Sequence, residues 1–91
     1  MSDNNKFLIQ NSKSHSMGTQ KLYSFPNGYG ASVVKHEYSY GGDNGLWELA
    51  VINNISEDGF DICYDTPITD DVVGHLNDPE VDRLLYLIRD L

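Results

Sequence analysis

The C-terminal segment carries an apolar stripe with the period of an α-helix, and this stripe constrains the fold more than any other feature. Its positions recur at i, i+3, i+4, i+7 and i+10, and they are Val81, Leu84, Leu85, Ile88 and Leu91. Asp78 as N-cap and Pro79 at the first helical position mark where this helix begins. A helix with such a stripe must bury it against another element. The preceding residues therefore have to supply a large apolar surface.

Four segments before the stripe alternate with the period of a β-strand or are rich in β-branched and aromatic residues, at 21–25, 31–40, 46–53 and 60–65. Turn signals separate them, among them Asn27-Gly28 and the glycine-rich run 41–45. Because these strands follow one another through short breaks, the sequence predicts an antiparallel four-stranded β-meander.

Alternation within these strands predicts their faces. In the third strand Trp47, Leu49 and Val51 share one face. The fourth strand has an apolar set, Phe60, Ile62 and Tyr64, and an opposite set, Asp61, Cys63 and Asp65. We therefore expect its apolar set to face the core and its acidic set to face solvent.

A second, shorter helix is predicted before the stripe. Thr66-Pro67 ends the last strand, because proline lacks the N–H donor that a ladder needs. Thr69 is a good N-cap residue, and the helix would carry Val72, Val73 and Leu76. The predicted fold class is α+β, an antiparallel four-stranded β-meander followed by two C-terminal helices packed on one sheet face.

Residues 1–20 are polar and lack a sustained period, which predicts a flexible arm or a short strand at 6–10 within it. The run 14–17 (SHSM) has the look of a junction after a non-native leader. Residues 21–91 would then form a single domain. No run approaches the ~20 apolar residues that cross a bilayer, and the first residues lack a signal-peptide core. With one cysteine, the chain is expected in the cytoplasm, away from membranes.

Acidic residues are concentrated in the second half. Residues 1–45 hold three acids against four lysines, a balance of +1, and residues 46–91 hold eleven acids against two arginines, a balance of −9. Helix capping and the helix dipole account for Asp70, Asp71, Asp78 and Glu80. Glu48, Asp82 and Asp90 are scattered. The four remaining acids form one patch. They are Glu57, Asp58, Asp61 and Asp65.

Motifs for catalysis, metals and cofactors are absent from the sequence. Asn27-Gly28-Tyr29-Gly30 lacks the lysine and hydroxyl residue of a P-loop and is typical of a hairpin turn. His36, His75 and Cys63 lack the spacing of a zinc site, and Cys63 fits a half-buried strand position. We therefore expect a protein that is not an enzyme and needs no cofactor and no metal.

Tyrosine and tryptophan residues suggest a binding surface. Tyr38, Tyr40 and Trp47 are the candidate anchors beside the acidic patch, because such side chains are enriched at protein interfaces. Trp47 suits the centre of the core equally well, and the alternative that most aromatics are core stays open. Acidic surroundings disfavour direct nucleic-acid binding, whose aromatic platforms have basic flanks.

Three stretches carry a resemblance: residues 25–34 (FPNGYGASVV), residues 40–42 with 45–51 (YGG and GLWELAV), and residues 63–69 (CYDTPIT). Together they resemble a family of small uncharacterised proteins of tailed bacteriophages. The resemblance implies an accessory protein in the infected host cytoplasm that binds and inhibits or modulates a host protein, in host takeover or anti-defence. The charge pattern suggests a nucleic-acid-binding host protein as the partner. The alternatives are a homo-oligomer, at its simplest a homodimer, with a structural role, and a nucleotide-sequestering binder that uses the loops 28–30 or 41–45.

Overall fold

One antiparallel sheet covered by one α-helix is the architecture of the computed structural model, which describes residues 3–14, 18–35, 46–68 and 72–91. In chain order the elements are a 3₁₀ helix (Asp3–Phe7), β1 (Leu8–Ser14), β2 (Gly18–Ser24), β3 (Tyr29–Lys35), β4 (Trp47–Ser56), β5 (Gly59–Ile62), β6 (Val72–Leu76) and α1 (Asp78–Arg89). The α+β class is therefore seen in the described residues.

The predicted arrangement of four strands and two helices is wrong, because the described residues form six strands and a single α-helix. β1 to β5 lie side by side in chain order, and each pairs antiparallel with the next. β3 occupies one edge of β4. β5 and β6 share the opposite edge, where β6 pairs with the first half of β4 and β5 with the second half.

β6 replaces the predicted short helix. Its register places Leu76 opposite Trp47 and Val73 opposite Leu49. Two physical reasons favour the strand: five residues are too few for a stable helix, and the first half of β4 would otherwise lack hydrogen-bond partners on this edge. The β-branched Val72 and Val73 suit a sheet as well. The predicted N-cap Thr69 and the acids Asp70 and Asp71 lie outside the described residues.

Residues 3–14 are ordered into the 3₁₀ helix and strand β1, where the sequence predicted a flexible arm or a short strand. β1 pairs with β2 over nearly its whole length, from Leu8 opposite Tyr23 to Ser14 opposite Gly18. The polar composition of β1 fits this position, because an edge strand of a sheet meets water. β2 begins at Gly18, before the predicted first strand at residue 21.

Helix α1 is present as predicted, with its start displaced by one residue. Asn77 is the N-cap: its side chain accepts a hydrogen bond from the Glu80 backbone N–H at 2.9 Å, and the Glu80 carboxylate accepts one from the Asn77 N–H at 3.0 Å. Asp78 is thus the first helical residue, and the two reciprocal bonds form a capping box.

The core lies between α1 and one face of the sheet. The predicted face of β4, with Trp47, Leu49 and Val51, packs in this core, as do Ala31 and Val33 of β3. From the helical stripe, Val81, Leu85 and Ile88 are buried, while Leu84 and Leu91 are half-buried against the cluster. Burying each such side chain contributes about 1.5–3 kcal/mol. Ala50 and Ile52, on the opposite face of β4, are buried as well.

The turn between β2 and β3 ties the sheet to the end of α1. The Phe25 N–H donates to the Tyr29 carbonyl at 2.8 Å, and Gly28 adopts the positive φ of 89° that the Asn-Gly signal predicts. The Asn27 carboxamide NH₂ lies within hydrogen-bond distance of the carbonyls of Ile88 (2.8 Å) and Arg89 (3.1 Å). The Ile88 carbonyl also accepts from the Leu91 N–H at 3.2 Å, and Asn27 adds a side-chain donor at this C-terminal end of the helix.

Gly30 follows this turn at the end of the β2–β3 ladder, opposite Ser24. A Cβ at this position would collide with the backbone carbonyl of Tyr23 and with the Ile55 side chain, which lies 2.6 Å from the ideal Cβ position. The close approach of two strands here therefore requires glycine.

Candidate functional site

The four acids of the predicted patch all lie along one hairpin, β4–β5, and its continuation. Glu57 and Asp58 form the exposed turn between Ser56 and Gly59. The Ser56 hydroxyl accepts a hydrogen bond from the Asp58 N–H at 3.2 Å and is 3.5 Å from the Gly59 carbonyl, to which it donates. This Ser-based turn holds two carboxylates at the tip of the sheet.

Asp61 is held in place by the neighbouring strand. It pairs in register with Asn53, and its carboxylate accepts a hydrogen bond from the Asn54 carboxamide at 2.9 Å. Asn54 adopts a positive φ of 51° where the β4–β5 register shifts. Asparagine tolerates this conformation better than most residues. The irregularity therefore aims an amide donor at Asp61.

Asp65 lies near Asp61 because both flank Cys63. Cys63 is buried, and its backbone N–H donates to the Val51 carbonyl at 2.8 Å, which extends the pairing of β4 by one residue beyond β5. Burial raises the pKa of the Cys63 thiol, and the negative charges of Asp65 and Asp61 raise it further. The thiol is thus kept protonated and is a poor nucleophile at neutral pH.

In this last strand Asp61 and Asp65 are exposed as predicted, but the burial of three other residues differs from the prediction. Cys63, from the set predicted to face solvent, is buried in the core, whereas Ile62 is 40% exposed and Tyr64 is 57% exposed. Because β5 is an edge strand, side chains on both of its faces reach water around its rim. We call Glu57, Asp58, Asp61, Ile62, Tyr64 and Asp65 together the acidic edge. It combines four exposed carboxylates with two exposed apolar side chains.

Trp47 does not belong to the acidic edge. It begins β4, whereas the acidic turn follows the end of β4 at Ser56, so about 30 Å of strand separates them. Its ring is only 7% exposed, and its Nε1–H donates to an Asp78 carboxylate oxygen at 2.7 Å. The other predicted anchors, Tyr38 and Tyr40, lie outside the described residues. The structure thus places the four acids along one hairpin and its continuation, and it places Trp47 in the core.

A second surface feature joins the two ends of the described chain. The Arg89 guanidinium stacks 4.7 Å from the Phe7 ring centre and 5.1 Å from that of Tyr86, and it donates to the Asn4 carboxamide oxygen at 3.0 Å. We call Lys6, Phe7, Tyr86 and Arg89 the basic–aromatic patch. The spacing of Tyr86 and Arg89 on one helix face could have been found in the sequence. Phe7 gave no such signal.

The loop at residues 28–30 offers no backbone cradle for an anion. The Gly28 N–H donates to the Phe25 carbonyl at 3.1 Å, and the Tyr29 N–H donates to the Asn27 side-chain oxygen at 3.0 Å. Gly30 is buried. The donors that a phosphate would need are therefore used within the turn. The other loop proposed for a nucleotide, 41–45, lies outside the described residues.

Within residues 3–14, 18–35, 46–68 and 72–91, no group of three or more His, Cys, Asp or Glu side chains has the arrangement of a metal site. Neither of the helices described has the length and hydrophobicity that a bilayer crossing requires.

Comparisons with protein-family models, with curated proteins and with solved structures find no match to this chain. The resemblance to phage proteins therefore stays a prediction. The support for the candidate site comes from its geometry alone.

Proposed function

We propose that this protein is a non-catalytic binding protein whose acidic edge contacts a basic surface of another protein. The observation that carries the proposal is the exposure of Tyr64 and Ile62 among four exposed carboxylates on an edge strand. Tyrosine is a frequent anchor of protein interfaces because its ring is apolar and its hydroxyl can bond at the rim.

Three features of the acidic edge favour a protein as the partner. Its carboxylates, in a chain of net charge −8, attract basic groups and repel the phosphates of nucleic acids. Among the described strands, β5 pairs only with β4, so its outer backbone groups can accept an added strand from a partner. The apolar side chains supply the desolvated centre that an interface needs.

The resemblance to small bacteriophage proteins is the reason to seek the partner in a bacterial host. A host protein that binds nucleic acid has a groove rich in lysine and arginine, and the acidic edge would occupy that groove in place of phosphates. Binding of this kind would inhibit the host protein in the cytoplasm. This part of the proposal follows from sequence resemblance and charge.

Affinity capture with three matched baits tests the proposal. The first bait is the wild-type protein, and the second carries Asp61→Asn, Asp65→Asn and Tyr64→Ala. The third carries Glu48→Gln, Asp90→Asn and Tyr86→Ala, which make the same change of charge and remove a tyrosine elsewhere. We expect a bacterial protein that the first and third baits retain and the second loses. Equal capture by all three baits would refute the assignment of the surface.

Salt dependence supplies an independent check. An interface that relies on four carboxylates should weaken steeply between about 50 mM and 300 mM NaCl, because salt screens exposed charges that are farther apart than the Debye length, which is about 10 Å at 0.1 M and shortens as salt is added. An affinity that does not change over this range would contradict the role of the acids.

Self-association is the second candidate, and the basic–aromatic patch favours it. Lys6 and Arg89 carry the charge that the acidic edge would attract, and Tyr86 and the neighbouring Leu87 are 40% and 43% exposed. Light scattering distinguishes the two candidates. A discrete multimer that Arg89→Gln dissociates supports self-association, and a monomer at all concentrations excludes it.

A further inference from the structure

A cleft lies between the sheet and the first half of α1, on the core side of Trp47 and away from the acidic edge. Its volume is about 140 Å³. Val33 of β3 and the helix residues Val81 and Leu85 form its apolar wall. A cavity of roughly 150 Å³ accommodates a molecule the size of benzene. The cleft can therefore hold a ligand of about six to ten non-hydrogen atoms and is too small for a nucleotide.

Two polar side chains of β2 line this cleft without a hydrogen bond to any described residue. Tyr23 is 4% exposed, and its hydroxyl makes no hydrogen bond within the described part of the chain. The Lys21 ammonium group, two residues earlier on the same face of β2, likewise has neither a hydrogen bond nor an ion pair to a described residue, and it lies 5.1 Å from the Trp47 ring centre. Among the described residues no fully buried side-chain nitrogen or oxygen lacks a hydrogen-bond partner, so the Tyr23 hydroxyl is reached from the cleft and can donate to a ligand there.

The opposite wall carries negative charge. Asp78 and Asp82 are four residues apart on α1, so their side chains project from the same face of the helix, about 5–6 Å apart at Cβ. Asp78 accepts the hydrogen bond from Trp47, and Asp82 accepts one from the Asn4 carboxamide at 2.8 Å. A carboxylate can accept about four hydrogen bonds, so a bond of this kind does not exclude a ligand donor.

Opposite charges on opposing walls select the class of ligand. A simple anion attracted by Lys21 would meet two carboxylates, and a simple cation attracted by the carboxylates would meet Lys21. Lys35 would also repel a simple cation, because its ammonium group is 4.2 Å from the Trp47 ring centre. A small molecule with both an anionic and an ammonium group satisfies both walls. A cleft with apolar walls and a few convergent polar groups is the usual form of a small-molecule site.

We propose that this cleft binds a small zwitterion of the amino-acid type, with its anionic group held by Lys21 and the Tyr23 hydroxyl and its ammonium group held by Asp78 and Asp82. The site is separate from the acidic edge, and it does not depend on the proposed protein partner. The resulting protein would combine a protein-binding edge with a metabolite-sized site beneath its helix.

The experiment uses the one tryptophan of the chain as a local probe. Trp47 lies in the cleft, so its indole N–H signal in NMR spectra and its fluorescence report binding there. The wild-type protein is titrated to 50 mM with glycine, β-alanine, γ-aminobutyrate and trimethylglycine. Acetate and methylammonium serve as probes with a single charge at the same ionic strength. We expect saturable shifts with at least one zwitterion and none with the two single-charge probes.

Two variants with matched controls assign the contacts. Tyr23→Phe removes one hydroxyl and should weaken binding about tenfold, as should Lys21→Met, because each deletes a hydrogen bond to a charged group. Tyr86→Phe and Lys6→Met make the same changes outside the cleft and should leave the affinity unchanged. If Lys21→Met does not fold, the comparison of Tyr23→Phe with Tyr86→Phe still shows whether the Tyr23 hydroxyl contributes to binding.

Three results would overturn the proposal. They are the absence of any Trp47 shift with all four zwitterions, equal shifts with acetate or methylammonium, and unchanged affinity of Tyr23→Phe. The cleft would then be a hydrated gap between helix and sheet.

Discussion

Replacing Gly30 with alanine should destabilise the protein far more than one added methyl group normally does. The new Cβ would meet the carbonyl of Tyr23, a backbone atom fixed by the β2–β3 ladder, and no side-chain rotation can relieve that contact. Overpacking typically costs about 1–3 kcal/mol. Because a strand must move here, we expect about 3 kcal/mol. A chain of 91 residues has a total free energy of unfolding of roughly 5–14 kcal/mol.

Urea unfolding followed by the fluorescence of Trp47 measures this cost. With a slope of about 1 kcal/mol per molar urea, the midpoint of Gly30→Ala should fall by about 3 M. Gly28→Ala is the matched control in the same turn. No atom lies within 4 Å of its Cβ position, so only its positive φ opposes alanine, at about 1–2 kcal/mol.

Ile55 provides a second test of the same reasoning. Its side chain is the flexible part of the collision, so adding Ile55→Ala to Gly30→Ala should not restore the midpoint while the Tyr23 carbonyl stays in place. A midpoint of Gly30→Ala at or above that of Gly28→Ala would refute the assignment of the cost to backbone contact.

Two further predictions concern the helix cap and pH. Asn27→Ala should lower the free energy of unfolding by about 1–2 kcal/mol and accelerate amide exchange at the end of α1, because the carbonyls of Ile88 and Arg89 lose the side-chain donor that Asn27 supplies. Ser56→Ala, whose side chain bonds only within its own turn, should cost less, and equal losses would contradict the capping role. Stability should decrease as pH rises above about 9, since burial raises the pKa of the Cys63 thiol above its ordinary 9.0 and the pKa of the Tyr23 hydroxyl above its ordinary 10.0. The fold thus favours both neutral forms, and that contribution is complete below the ordinary pKa values and disappears as pH rises through the raised ones. Urea midpoints at pH 8 and pH 10.5 measure the effect, Tyr23→Phe should reduce it, and a midpoint that does not fall at pH 10.5 would contradict it.

The sequence predicted those elements whose pattern is long enough to identify them. The stripe from Val81 to Leu91 identified α1, and the alternation of Trp47, Leu49 and Val51 identified the core face of β4. The five residues of β6 are too few for their periodicity to distinguish a strand from a helix. Its true structure depends on an open edge of β4, which the local sequence does not reveal.

The candidate site was predictable in composition and not in arrangement. The four acids follow one another along a single hairpin and its continuation, so their place on one edge of the sheet follows from their closeness in the sequence. The orientation of Cys63 against Tyr64 depends on register, since alternation alone allows either face to be buried. The cleft of Tyr23 and the patch around Arg89 join residues far apart in the chain, and no local signal links them.

The way α1 is fastened bears on the order of folding. Strands β1 to β4 pair with their neighbours in the chain, so their contacts form over short loops. The bond from Asn27 to Ile88 joins residues 61 apart, and that from Arg89 to Asn4 joins residues 85 apart. Longer loops cost more entropy to close, so we expect the helix to dock after the hairpins have formed. Loosening these bonds would then accelerate unfolding and leave the folding rate nearly unchanged.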